Sequence, residues 1–251
     1  MPESMAGTVA VTGGSRGIGA AISIELARAG FNVACLSRSG ALPDPSSLDE
    51  ADRHRLAPMR CDVTDTGSVA RTFKAIPDLF GTEIVGLVNN AGIHLHGPSA
   101  TFPLADFEQV MRANTSSVYI VSQAAYPYLS ASPSTLIVNI GSFYDKLGVR
   151  SNAAYCASKA AVGALSRCLA VEWARDGIRV LNVAPGYVET DLNRDALNQG
   201  PLESFLKKRI PRGEHGQAAD IGRLVAMLYR LPGHFLTGET LYVDGGQGIA
   251  L

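Results

Sequence analysis

Short β-branched and apolar runs alternate with longer stretches of helical periodicity along the whole chain. Thr8 to Val11 reads as a first strand. Gly17 to Ala29 follows as a helix, with Ile18, Ile22 and Leu26 at helical spacing and Gly30 as its stop signal. Further strands are expected at Val33 to Leu36, Pro58 to Cys61, Ile84 to Val88, Leu136 to Ile140, Arg179 to Val183 and Leu241 to Val243. Strands that are apolar on both faces and joined by helices imply a parallel sheet covered on both sides. Crossovers of this kind are right-handed, so the expected fold is α/β: one doubly wound Rossmann domain with a seven-stranded parallel sheet flanked by helices. Leu42 to Ser47 reads as a surface loop. Neither a linker nor an internal repeat divides residues 1–251.

Composition narrows the range of partners. With 46% hydrophobic and 18% charged residues, the chain can bury a large core. A net charge of -1 gives no electrostatic reason for nucleic acid or an anionic membrane as partner. No apolar run approaches the roughly 20 residues of a membrane-spanning helix, and Met1 to Ala6 is too short and polar for a signal peptide. The four cysteines (Cys35, Cys61, Cys156, Cys168) show neither a C-x-x-C pair nor metal-like spacing. That scatter suits a reducing compartment, and a cytoplasmic protein is expected.

The first strand runs straight into Thr12-Gly13-Gly14-Ser15-Arg16-Gly17-Ile18-Gly19, which opens the first helix. Glycines there let the backbone turn tightly and approach a pyrophosphate, while the helix N-terminus offers free N–H groups and partial positive charge. The spacing is G-x-x-x-G-x-G, and its place between first strand and first helix makes it a dinucleotide signature. About 20 residues on, at the end of the second strand, NAD-binding chains carry a carboxylate for the ribose 2′-hydroxyl. Here Ser37-Arg38 stands instead. A guanidinium suits a 2′-phosphate, and Arg16 is placed to clamp the same group. NADP(H) is therefore favoured over NAD(H).

Tyr155 and Lys159 are four residues apart in a stretch of strong helical character, so they share one helical face. An ammonium near a phenol is expected to lower its pKa, as exchange of a proton with a substrate oxygen requires.

With these residues in view, the chain resembles the short-chain dehydrogenase/reductase family over nearly its whole length. The matching positions are the glycine loop (Gly13, Ser15, Arg16, Gly17, Ile18, Gly19), Asp62-Val63, Asn89-Asn90-Ala91-Gly92, then Asn114, Ser142, Tyr155 and Lys159, and finally Pro185-Gly186 with Val188 and Thr190. The resemblance implies an enzyme that moves a hydride between NADP(H) and a ketone/secondary alcohol pair. Tyr155 would be general acid and base, and Ser142 would orient the carbonyl. Lys159 would hold the nicotinamide ribose and tune Tyr155, and Asn114 would bind a relay water. It further implies that Asp62 and Val63 contact adenine, that Asn90, Ala91 and Gly92 lie beside the ribose, and that Pro185 to Thr190 holds the carboxamide. No metal is implied. The partner is a small carbonyl or alcohol substrate.

His94 and His96 lack a third ligand and read as loop residues at the substrate mouth. Cys156 reads as packing, and Trp173 as core or interface. The Ala- and Gly-rich helix (Ala157, Ala160, Ala161, Gly163, Ala164) permits close packing of another helix, and the family resemblance implies a homotetramer. Substrate choice falls to a lid within 188–213, with Phe143 to Arg150 and His94 to Ser99 as the other walls; the lid mixes Leu192, Leu197, Leu202, Phe205 and Leu206 with the basic run Lys207, Lys208 and Arg209. That run either attracts an anionic substrate or carrier, or is a solvated helix face. A 3-oxoacyl thioester, a sugar or polyol, and a non-catalytic NADP-binding regulator remain the open readings.

Overall fold

A computed structural model describes residues 7–250 apart from 45, 47, 191, 192, 194–196, 198, 199, 232 and 234, together with the backbone but not the side chains of residues 200–202. Met1 to Ala6, Leu192 and Ser47, and the Leu202 side chain, thus lie outside the described residues. Every expected strand is present. The first half comprises β1 (Thr8–Thr12), α1 (Gly17–Arg28), β2 (Asn32–Ser37), α2 (Glu50–Arg53), β3 (Leu56–Arg60), α3 (Thr66–Phe80) and β4 (Ile84–Asn89). Next come α4 (Leu104–Met111), a π-helical turn (Arg112–Ser116), α5 (Ser117–Leu129) and β5 (Thr135–Ile140). After β5 stand a 3-10 turn (Phe143–Asp145), α6 (Ala153–Glu172), β6 (Ile178–Pro185) and β7 (Val188–Glu189). The last elements are α7 (Gly200–Arg209), β8 (Gly216–Gln217), α8 (Ala218–Arg230) and β9 (Thr240–Val243).

The main sheet has seven strands in the order β3-β2-β1-β4-β5-β6-β9, with every pairing parallel. Its central strands β1, β2, β4, β5 and β6 are buried on both faces, and alternate residues feed two cores. Val9 and Val11 of β1 join Ile22 and Leu26 of α1 and Val225 and Leu228 of α8. Ala10, between them, faces Phe73 and Ile76 of α3 and Val121 and Leu129 of α5. Each such side chain, fully buried, contributes roughly 1.5–3 kcal/mol. β3 starts at Leu56, two residues ahead of the expected Pro58, because Leu56 is buried and pairs with Val33. Pro58 is tolerated within the strand because β3 is the sheet edge.

Strand order reverses between β1 and β4, so the loops leaving their carboxyl ends diverge and open a crevice. That crevice holds the expected site. A second sheet, β7 with β8, was not legible from periodicity, since each strand has two residues. It ties Val188 to Gly216 and so closes the base of the segment expected to be the lid. Within that segment Leu197, Leu206 and Ile210 pack together with Tyr187. Lys207, Lys208 and Arg209 are exposed and Lys207 pairs with Glu203 on its own helix at 2.7 Å, the arrangement of a solvated face.

Candidate active site

The glycine loop is built for close approach. Gly13 has φ +65, in the left-handed region. The N-cap of α1, Arg16, makes no side-chain cap, which leaves the first N–H groups of that helix available to an anion. The loop is braced from β4: Thr12 Oγ1 accepts from the backbone N–H groups of Asn90 (2.9 Å) and Ala91 (3.1 Å), and Asn90 Nδ2 donates to the Thr12 carbonyl at 2.9 Å. Across from it, Thr190 lies so close that a Cβ placed on Gly17 would sit 3.5 Å from its methyl group. Pro185 ends β6, Gly186 N–H donates to Val243 (2.9 Å), and Val188 begins β7. Loops after β1, β4 and β6 therefore bound one cleft, with Gly13, Ser15, Ile18, Gly19 and Gly92 on its glycine-loop and β4 sides.

Beside the end of β2 lies a cavity of about 500 Å³ lined by Arg38, Met59, Arg60, Asp62, Ser68, Arg71 and Thr72. Three guanidiniums face a single carboxylate there. The Asp62 carboxylate accepts the N–H and hydroxyl of Thr64 (2.9 and 2.7 Å). Those bonds, with help from Arg38 and Arg112, hold it below the usual carboxylate range. Ser37 Oγ accepts from Gly40 N–H at 3.0 Å and shapes the turn that presents Arg38, while Val63 packs on the α3 core. Arg60 and Arg71 were missed in the sequence, because only the pairing of β3 and the facing of α3 bring them to Arg38. Arg16 is exposed and is not among the residues lining this cavity. The uncapped helix N-terminus fits the pyrophosphate of a dinucleotide.

At the crevice, Ser142 follows β5, caps the 3-10 turn by accepting from Tyr144 N–H (3.2 Å), and lies near enough to the Tyr155 hydroxyl to draw its pKa down. Tyr155 stands in the first turn of α6 and Lys159 one turn on. Lys159 is buried, donates to the Ile140 carbonyl at 2.8 Å and lies 5.6 Å from the centre of the Tyr155 ring. Burial lowers its ammonium to about 8. The expected lowering of the Tyr155 phenol by Lys159 is not found in this arrangement. Burial pushes that phenol up, and only Ser142 works against it.

Asn114 sits in the π-helical turn between α4 and α5, a local irregularity that re-aims one side chain. Its amide is buried and fully engaged: Oδ1 accepts from Ile93 N–H (2.8 Å), and Nδ2 reaches the Ile93 carbonyl (2.9 Å) and Ser158 Oγ (3.0 Å). Ser158 precedes Lys159, so Asn114 joins the loop after β4 to the Tyr/Lys helix. His94, expected at the substrate mouth, stands beside Tyr155. Its ring centre lies 4.6 Å from that of Tyr155, and Tyr144 meets Tyr155 edge-on at 5.9 Å. Trp173, at the end of α6, packs on Tyr126 at 5.0 Å and belongs to the second core.

The buried ammonium has a measurable consequence. The unfolded chain holds a proton on Lys159 up to its ordinary 10.5, whereas the folded protein sheds it above about 8. Between pH 8 and 10 the unfolded state binds more protons, so stability should rise with pH, this group contributing up to about 3 kcal/mol. Urea unfolding across that range should show the rise in the wild type and its loss in Lys159→Met; parallel profiles would refute it.

A dinucleotide crevice that ends at a Ser/Tyr/Lys/Asn set defines an oxidoreductase of the nicotinamide-dependent kind. The chain belongs to the short-chain dehydrogenase/reductase family: a family model described as enoyl-(acyl carrier protein) reductase matches residues 13–247. Senescence-associated protein 13 of Arabidopsis thaliana is 35% identical over 246 residues, 96% of this chain and 90% of that protein. Among solved structures, a dehydrogenase/reductase from Sinorhizobium meliloti 1021 is 34% identical with a TM-score of 0.88, over 98% of this chain and 97% of that one. The Pseudomonas aeruginosa RhlG/NADP active-site complex is 29% identical with a TM-score of 0.85, over 98% of both chains.

Proposed function

We propose that the protein is an NADP(H)-dependent oxidoreductase that interconverts a ketone and a secondary alcohol. The observation that carries this is Tyr155 with the buried Lys159 one helical turn on, 5.6 Å from its ring centre, and Asn114 bonded to Ser158 between them. The nicotinamide, when bound, supplies or accepts the hydride. The glycine loop and Thr190 hold the dinucleotide, and Asn90, Ala91 and Gly92 line its ribose. Ser142 donates to the carbonyl oxygen and fixes its position, so that two preorganised hydroxyls meet the developing alkoxide. Tyr155 then gives that oxygen its proton. A phenol that burial keeps protonated is the form that does so. Lys159 positions the ribose, and Asn114 holds the wall between α6 and the loop after β4.

The choice of NADP(H) rests on Arg38, Arg60 and Arg71 facing Asp62 alone in one cavity. Its test is the consumption of NADPH and NADH with a panel of ketones. Turnover should favour NADPH, and Arg38→Asp should shift the preference toward NADH by tenfold or more, since it replaces a phosphate partner with one for a ribose hydroxyl. An unchanged preference would refute the assignment of the 2′-phosphate to this cavity. The exposed small-residue face of α6 (Ala157, Ala160, Ala164) is read as a subunit contact, in keeping with a homotetramer.

A further inference from the structure

We propose that His94, held by Asn152, accepts a hydrogen bond from a second oxygen on the substrate, so that the preferred substrates carry a hydroxyl group on the carbon next to the reacting one. The proposal rests on the ketone-reductase reading above and deepens it.

His94 is a fixed imidazole at an exposed mouth. The residue before it, Ile93, is bonded through both its N–H and its carbonyl to the Asn114 amide (2.8 and 2.9 Å). Its ring nitrogen Nε2 lies 2.5 Å from Asn152 Oδ1. The Asn152 amide is oriented in turn, because its Nδ2 donates to the Arg150 carbonyl at 2.8 Å. Oδ1 can only accept, so Nε2 carries the proton and Nδ1 is left as the free hydrogen-bonding position.

The loop bearing Asn152 is anchored too. Ser151 has φ 64, a left-handed conformation costly for a non-glycine residue, and its carbonyl accepts from Gly97 N–H at 2.9 Å. The Asn152 carbonyl accepts from Cys156 N–H (2.9 Å) in the turn that carries Tyr155. A strained residue, a fixed amide and a fixed imidazole thus converge on the rim of the catalytic tyrosine.

The facing rim is also polar. The hydroxyls of Tyr144 and Tyr187 bond each other at 2.8 Å, which uses one of their two protons and leaves the other for a ligand. Burial pushes the Tyr144 phenol far above its usual range, so it remains a neutral donor. Tyr155 thus has both the His94 imidazole (4.6 Å) and the Tyr144 ring (5.9 Å) as neighbours. A substrate with apolar groups alone would displace the water on these partners and leave them unpaired. Apolar residues next in sequence, Leu95, Ala153 and Ala154, line a different cavity of about 260 Å³ together with Phe102 and Phe107.

The test compares kcat/KM with NADPH for acetoin and butanone, which differ by one hydroxyl beside the carbonyl. The wild type should favour acetoin by tenfold or more. His94→Leu should lower the acetoin-to-butanone ratio at least tenfold, and His94→Gln, which keeps a hydrogen-bonding head, should restore part of it. Asn152→Ala should lower the ratio in the same direction, and adding it to His94→Leu should lower it no further, because Asn152 acts through His94. Equal use of the two ketones by the wild type, or a ratio in His94→Leu within twofold of the wild type, would overturn the proposal while leaving the reductase reading in place. Silence of the wild type on every ketone would overturn both.

Discussion

Tyr155→Phe should lower turnover by roughly 10²–10⁴-fold, the range lost when a positioned acid or base is removed, while NADPH binding stays nearly intact. The substitution takes away one hydroxyl and keeps the ring that meets His94 at 4.6 Å and Tyr144 at 5.9 Å. Because burial favours the neutral phenol, no charge is lost with it and the fold should be little affected. Steady-state kinetics should show kcat and kcat/KM falling together, as for a group whose contribution arises in the transition state. Near-normal turnover would mean that another group supplies the proton.

Gly19→Ala should be the most damaging conservative change in the cofactor cleft. A Cβ at Gly19 would lie 2.2 Å from the Gly13 carbonyl oxygen and 2.4 Å from Asn90 Nδ2. Neither can move freely: Gly13 is in a left-handed turn, and Asn90 is bonded to Thr12 through both its backbone and its amide. Alanine in a helix is favoured over glycine by about 1 kcal/mol. Forcing apart a loop packed this tightly costs about 1–3 kcal/mol or more, so the clash outweighs the helical gain. We expect a lower melting temperature and at least a tenfold weaker affinity for NADPH, measured by thermal unfolding and by titration. A more stable variant with unchanged affinity would contradict the packing described.

The sheet was legible in the sequence because each of its central strands is buried on both faces, which leaves unbroken runs such as Val9-Ala10-Val11 and Leu136-Ile137-Val138. What escaped is set by distance along the chain or by brevity. The π-helical turn at Asn114 has five residues, too few to leave a period. His94 was expected at the substrate mouth, but the bond that fixes its ring was not legible because its partner, Asn152, is 58 positions away. Arg60 and Arg71 acquire meaning only when β3 and α3 set them beside Arg38. The expectation for the Tyr155 phenol failed for another reason: spacing places Lys159 near the ring, but burial of both groups is a property of the folded site. Motifs were enough to propose the catalytic residues, whereas their electrostatics were not legible.

The measurement that tests the central claim most directly follows a label from the cofactor to the product. NADPH deuterated on the transferable nicotinamide position is incubated with the protein and an α-hydroxyketone, and the product is examined by nuclear magnetic resonance. The account predicts deuterium on the new carbinol carbon, matched mole for mole by oxidised cofactor. NADPH that binds yet is never oxidised, or a product whose carbinol hydrogen comes from solvent, would contradict it.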